Sequence, residues 1–322
     1  MSGTIITGAT GFLGGAIARR LLREGERVIA LGRDRAKLTA LAEAGAETHA
    51  LDLSSDDPLP SLAATGLIHC AALSSTWGSR AAFERANITG TRRALLLALE
   101  AGARRFVHIS SPSVCFRFAD QDGVPEDMPL PPPVNAYAAT KAASEQLVLA
   151  VPDLSPIILR PRGLYGPGDT ALLPRLLRAA ATRPLPLMRG GVAATDLTYI
   201  EDVADAAITA LRATSAPSQI YNVSGGEALS IRKVAESAGQ MAGVTIRWRK
   251  MPWPLVKAAA RASEALCAAL PGRPEPPITA YSAGLFAFRQ TLSLSRIERE
   301  LGWRPQVSFN EGLARTFAGR AP

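Results

Sequence analysis

The sequence predicts an α/β protein, a doubly wound parallel sheet with a smaller, interleaved C-terminal substrate-binding region. Three observations carry that expectation. Short apolar, β-rich runs alternate with segments of helical spacing through the first half of the chain, the pattern of strands buried between two helical layers. A glycine-rich stretch, TGATGFLGG at 7–15, joins the first such run to the first helix. The C-terminal third loses the alternation and carries Pro-rich breaks such as PGRPEPPITA at 271–280.

Each element follows in order. TIITGA (4–9) reads as the first strand. LGGAIARRLLREGE (13–26) places Ile17, Leu21 and Leu22 at helical spacing, with Gly25 as a stop. RVIALGR (27–33) is the second strand, AKLTALAEAG (36–45) a helix, ETHALDL (47–53) the third strand and GLIHCAAL (66–73) the fourth. A long helix over 80–102 precedes the fifth strand, RFVHISS (105–111). A Pro-rich acidic loop over 120–137, with Asp120, Asp122, Glu126 and Asp127 read as solvated surface, leads into a helix over 135–151. SPIILRPRGLYGPGD (155–169) supplies the sixth strand and the loop after it. Helices follow over 171–182, 201–213 and 253–270, with strand-like TDLTYI (195–200) and QIYNVSGG (219–226) between them. The predicted division is a dinucleotide-binding region over 1–165 with returning segments at 192–225. The substrate-binding cap is assigned to 166–191 and 226–322.

Composition narrows the function. With 47% hydrophobic and 20% charged residues among 322, the chain is an ordinary globular protein. Its +8 charge, 36 basic against 28 acidic residues, is scattered rather than clustered, and aromatics are only 6%. That argues against nucleic acid as a partner and suits an anionic small molecule. Three widely spaced cysteines, Cys70, Cys115 and Cys267, form no disulfide framework or zinc site, so no metal is expected. No signal-peptide pattern and no long apolar run is present, so a cytoplasmic location is expected and membrane-surface contact is not.

Four local patterns carry chemistry. Gly8, Gly11 and Gly14 sit between strand and helix, where a helix N-terminus offers N–H groups and partial positive charge to a phosphate. The end of the second strand has Gly32-Arg33 instead of the carboxylate that selects NAD. A guanidinium there pairs with a 2′-phosphate. The expected cofactor is therefore NADP(H), with NAD(H) as the alternative. Tyr137 and Lys141 stand four apart, on one helical face. An ammonium beside a phenol favours the phenolate and brings its pKa toward working range. Finally, HISSPSV (108–114) puts hydroxyls at the C-terminal end of a parallel strand, where α/β sheets bind ligands. His49, His69 and His108 lie in strand runs and read as core or strand-end residues.

These patterns, with NITGT (87–91), YAATK (137–141), LRPRGLYGPGD (159–169), TYIEDVADA (198–206) and YNVSGGEALSI (221–231), resemble the extended short-chain dehydrogenase/reductases. These form the NAD(P)-dependent epimerase/dehydratase superfamily, with a Rossmann-type fold. The resemblance implies Tyr137 as general acid–base, Lys141 as its modulator and holder of the nicotinamide ribose, and Ser111 as the family serine, with Ser113 a helper. It implies that Gly8, Thr10, Gly11, Phe12, Leu13, Gly14 and Arg33 contact the cofactor. Asp52 and Leu53 would flank the adenine and Ala71 and Ala72 would border the adenosine ribose. Asn87 would brace the neighbouring helix, and the long helices would form a homodimer.

TDLTYIEDVADA and residues 279–303 look more like the 3β-hydroxysteroid dehydrogenase branch. The chain also departs from sugar-nucleotide epimerases at Val114-Cys115-Phe116, Arg162-Gly163-Leu164 and Thr195-Asp196, with Arg162 a substrate-binding candidate. Leu255, Val256, Ala259, Leu266 and Leu270 line one side of helix 253–270, either a greasy cap or an ordinary amphipathic face. The expected reaction is hydride transfer between a secondary alcohol and a ketone on a hydrophobic, steroid-like or 3-keto-acid-like substrate. Sugar-nucleotide epimerisation is the alternative within the superfamily, and a non-catalytic dinucleotide sensor the alternative outside it.

Overall fold

The computed structural model describes residues 3–216 and 219–318. The first half alternates as the sequence predicts: β1 (Thr4–Thr7), α1 (Phe12–Arg23), β2 (Val28–Gly32), α2 (Arg35–Glu43), β3 (Glu47–Ala50) and β4 (Gly66–His69). Then come α3 (Arg80–Phe83), a π turn over Glu84–Thr89, α4 (Gly90–Glu100), and β5 (Arg105–Ile109). After β6 (Gln121–Val124) follow α5 (Ala136–Leu149), β7 (Ile157–Pro161), β8 (Leu164–Tyr165), α6 (Leu173–Thr182) and β9 (Leu185–Leu187). The chain continues through β10 (Ala194–Thr195), β11 (Thr198–Tyr199), α7 (Ile200–Arg212) and β12 (Ile220–Val223). It ends with β13 (Leu229–Ser230), α8 (Ile231–Met241), β14 (Trp248–Lys250), α9 (Trp253–Ala269), α10 (Ala280–Leu285), β15 (Gln290–Leu292), α11 (Ser295–Leu301) and α12 (Phe309–Phe317).

Seven strands form the main sheet in the order β12-β7-β5-β4-β1-β2-β3, and every pairing is parallel. Alternate side chains feed two cores, as the period of a strand requires. Ile6, Ala30, Ile68 and Val107 join α1, α2 and α7 on one face. Ile5, Ile29, Leu67 and Phe106 join α4 and α5 on the other. The order reverses between β1 and β4, and a crevice at such a switch point, beyond the strands' carboxyl ends, is where these sheets bind ligands.

A second sheet, β13-β10-β15-β6, is built from segments far apart in the chain. It pins down part of the acidic loop: Asp122 and Asp127 are the exposed surface expected, but Asp120 and Glu126 are not. Asp120 is ion-paired to Arg189 and Arg289, and Asp122 to Arg289. Glu126 is buried and accepts the Asn222 N–H at 2.9 Å. The arginines that neutralise this loop arrive from residues more than 60 positions away, which local composition does not reveal.

Helix α9 also departs from expectation. Its buried residues are Val256, Ala260 and Cys267, while Leu255, Leu266 and Leu270 face outward. The leucines therefore build no greasy cap. No described helix is long and apolar enough to cross a membrane.

Candidate active site

The turn after β1 is shaped by contacts that only glycine permits. Gly8 has φ of +66°, and a Cβ there would lie 2.7 Å from the Ala71 nitrogen. A Cβ on Gly14 would lie 2.3 Å from the Gly8 carbonyl oxygen. Gly11, by contrast, is exposed and caps α1 with no side chain. The first N–H groups of α1, those of Phe12, Leu13 and Gly14, have no intrahelical partner and no acidic residue in their turn. That exposed, uncapped and electropositive end fits a dinucleotide pyrophosphate. Phe12 points its ring outward, lining a groove of about 160 Å³ with Arg19, Arg23 and Pro167. Leu13 is core.

At the end of β2, Gly32 is glycine because Thr10 fills the space: a Cβ would come within 2.6 Å of its Oγ1. The nearest carboxylate to this strand end comes from the residue after Leu51. Asp52 lies 3.6 Å from the exposed Arg33 guanidinium. Burial raises its pKa, but hydrogen bonds from Ser54 and the charge of Arg33 outweigh that and hold it ionised. Arg33 is thus already partnered by an anion.

Loop 71–74 is tied to α5. Asn87, carried inward on the π turn, accepts the Leu73 N–H at 2.8 Å and donates to Thr140 of α5 at 3.1 Å. Ala71 donates its N–H to Thr7 at 3.4 Å, and Ala72 is exposed. Leu53 is buried beside them, in the core that contains Ala71.

Tyr137 opens α5, whose N-cap Asn135 accepts the Ala138 N–H at 2.8 Å. Burial pushes the Tyr137 phenol above its ordinary pKa, and the nearby hydroxyls of Ser111 and Ser74 pull it back. Ser74 was not foreseen; its only sequence signal is its place just past the fourth strand. Ser111 also accepts the Ser113 N–H at 3.2 Å. Ser113 itself is buried, and its Oγ has no partner among the described residues.

Lys141 does not play the part expected of it toward the phenol. Its ammonium, buried at 2% exposure, donates to the Ile109 carbonyl at 2.7 Å and to His108 Nε2 at 3.1 Å. It is not among the groups that shift Tyr137. Four-residue spacing shares a face, but the strand-end carbonyl offers the buried ammonium a better acceptor than a neutral phenol. Burial lowers the lysine pKa to about 8.

His108, expected to be inert core, is the second acceptor. Its ring stacks on His69 at 5.4 Å, and His69 in turn meets Thr7 and Thr91. Burial and the Lys141 charge keep both imidazoles neutral. His49 sits half-buried on the edge strand against Glu47, at 3.0 Å.

Comparison with known proteins now has a geometry to meet. The profile of the NAD dependent epimerase/dehydratase family matches residues 4–224.

The chain belongs to that family.

It is therefore an NAD(P)-dependent oxidoreductase of the short-chain dehydrogenase and epimerase/dehydratase superfamily. It is 33% identical to the uncharacterized protein YbjS of Escherichia coli, over 98% of this chain and 96% of that one. It is 32% identical to a 2-alkyl-3-oxoalkanoate reductase of Stenotrophomonas maltophilia, over 98% and 99%. Among solved structures it is similar to MoeE5 in complex with UDP-glucuronic acid and NAD, at 25% identity, TM-score 0.73 and 98% coverage of each chain. The 3β-hydroxysteroid branch is not singled out over other members of the superfamily.

The expected preference for NADP(H) is overturned. Solved relatives with a named cofactor carry NAD. Arg33, read as the phosphate ligand, instead lies 3.6 Å from the Asp52 carboxylate. Among the described residues no group of His, Cys, Asp and Glu could hold a metal ion.

Proposed function

We propose that the chain interconverts a secondary alcohol and a ketone with NAD(H), and that Tyr137 handles the proton. The observation that carries this reading is that Ser111, just past the carboxyl end of β5, and Ser74, in the loop after β4, put hydroxyls close to the Tyr137 phenol. NAD, when bound, accepts or supplies the hydride. In the reducing direction Tyr137 donates its phenolic proton to the forming alkoxide, while Ser111 and Ser74 hydrogen-bond the same oxygen. A phenol held above its ordinary pKa is protonated at neutral pH and ready for that role. Lys141, with two donors fixed by Ile109 and His108, keeps a third for a ribose hydroxyl. Gly8, Thr10, Gly11, Phe12, Leu13 and Gly14 cradle the pyrophosphate through backbone groups. Asp52 takes the adenosine ribose, with Leu53, Ala71 and Ala72 beside the adenine nucleoside.

Two substrate classes follow. The complexes of MoeE5 with UDP-glucuronic acid and with UDP-glucose favour a nucleotide sugar. The oxoalkanoate reductase, covered over nearly its whole length, favours net reduction of a keto acid. Incubation with NAD and UDP-sugars, read by chromatography, and with NADH and 3-oxo acids, read by absorbance, separates them. Loss of NADH without sugar conversion supports the reductase, and sugar conversion without net NADH the epimerase. No change in either arm refutes hydride transfer.

A further inference from the structure

The buried arginines of this fold meet acceptors from the protein itself. Arg160 grips both oxygens of Glu145, through Nε at 2.9 Å and Nη2 at 2.7 Å. Arg162, read from the sequence as a substrate ligand, is taken up by Thr195 Oγ1 at 3.0 Å, Gln290 Oε1 at 3.3 Å and the Asp196 carboxylate at 3.8 Å. The two buried histidines differ from each other in this respect. His69 is satisfied at both ring nitrogens. Thr91 donates its hydroxyl proton to the Asn87 carbonyl at 2.7 Å, so it accepts from His69 Nε2 at 3.1 Å. Nδ1 of the same ring then accepts from Thr7 at 2.7 Å. One tautomer, Nε2–H, fits that ring.

His108 has no such arrangement. It is fully buried, and its Nδ1 has no hydrogen-bond partner among the described residues. Its Nε2 faces two groups at once, Lys141 Nζ at 3.1 Å and Ser144 Oγ at 3.0 Å. An ammonium only donates. While Lys141 is charged, Nε2 is therefore the bare, accepting nitrogen, and the ring proton sits on Nδ1, where nothing receives it. An unprotonated amine reverses this. It has a lone pair, and so does Ser144 Oγ, whose own proton goes to the Lys141 carbonyl at 2.8 Å. The ring proton then belongs on Nε2, facing two acceptors. One proton passes to solvent, and the ring holds one proton in both states. The other titratable groups that face the pair are His69 at the end of β4, Cys70 just after it, and Glu145 on α5, which is closed on Arg160 of β7.

We propose that His108 is a positioning residue for Lys141: its ring holds the ammonium through Nε2, and its tautomer follows the charge of the lysine. Held between the Ile109 carbonyl and the His108 ring, the ammonium aims its third donor at a ribose hydroxyl of NAD. That last role rests on the hydride-transfer reading; the change of tautomer does not. Burial lowers the lysine pKa to about 8, which brings the change within an ordinary titration.

Nitrogen-15 NMR of the full chain, labelled at its 3 histidines, tests the pair without turnover. Across the lysine titration the His108 ring is expected to pass from Nδ1–H to Nε2–H with a midpoint of about 8, while His69 stays Nε2–H. In Lys141→Met the His108 ring is expected as Nε2–H throughout. A wild-type His108 ring that keeps one tautomer across the titration overturns the proposal, whether or not any variant folds. Calorimetry with NAD supplies the second readout. His108→Leu, which leaves no acceptor, should weaken NAD binding about 10-fold, with the loss growing as pH rises. His108→Gln, whose carbonyl accepts, should restore binding in part. Unchanged binding in His108→Leu, or a loss equal at every pH and equal in both variants, marks a merely structural ring and overturns the proposal. The tautomer change and these NAD effects, with no turnover of any alcohol or ketone by NAD(H), leave the pair standing and refute the hydride-transfer reading.

Discussion

Burial of the Lys141 ammonium has a consequence for stability. A lysine whose pKa falls from 10.5 to about 8 on folding binds fewer protons folded than unfolded between those values, so stability rises with pH across that window. Full relief of the burial is worth roughly 3 kcal/mol. Urea midpoints at pH 7.5 and 9.5 should differ in the wild type, and Lys141→Met should flatten the difference. Tyr137→Phe should lower turnover by about 10²- to 10⁴-fold while calorimetry still shows NAD binding. Wild-type turnover in that variant would remove Tyr137 from the chemistry. The Tyr–Lys spacing was legible because a helix turn fixes it. The direction of the lysine was not, because its acceptors, Ile109 and His108, come from a strand more than 30 residues earlier.

At the scale of elements, one link between α5 and the sheet is a closed, buried ion pair. Glu145 and Arg160 are 1% and 2% exposed, and Ser110 adds a third bond at 2.5 Å. Removing one partner strands a buried charge, so Glu145→Ala should cost about 3–5 kcal/mol in denaturant unfolding. Replacing both by apolar residues should cost much less. The strands and helices of the first half were legible because two-residue and 3.6-residue periods survive in the sequence. The face of α9 was not. Its alanines and leucines surround the helix, so periodicity alone does not say which side is covered, and only Val256, Ala260 and Cys267 turn inward.

Across the whole molecule, α4 leaves Leu96 and Leu99 48% and 46% exposed. We propose this face as the homodimer contact that the family resemblance implies. Light scattering should then show a dimer that Leu96→Arg with Leu99→Arg converts to monomer; an unchanged mass would place the contact elsewhere. The alternation of the first half foretold the sheet, and the strand-like run at 219–226 was read as returning to it; its place at the edge beside β7 was not legible. One edge strand of the sheet, β12, is drawn from residues 220–223 and lies beside β7, with α6, α7 and four short strands threaded between the two in sequence.

That threading fixes when the protein becomes a protein during synthesis. Until residue 223 clears the ribosome, β7 is a bare edge, and such an edge invites pairing with another chain. A nascent chain halted short of that point should need shelter from chaperones.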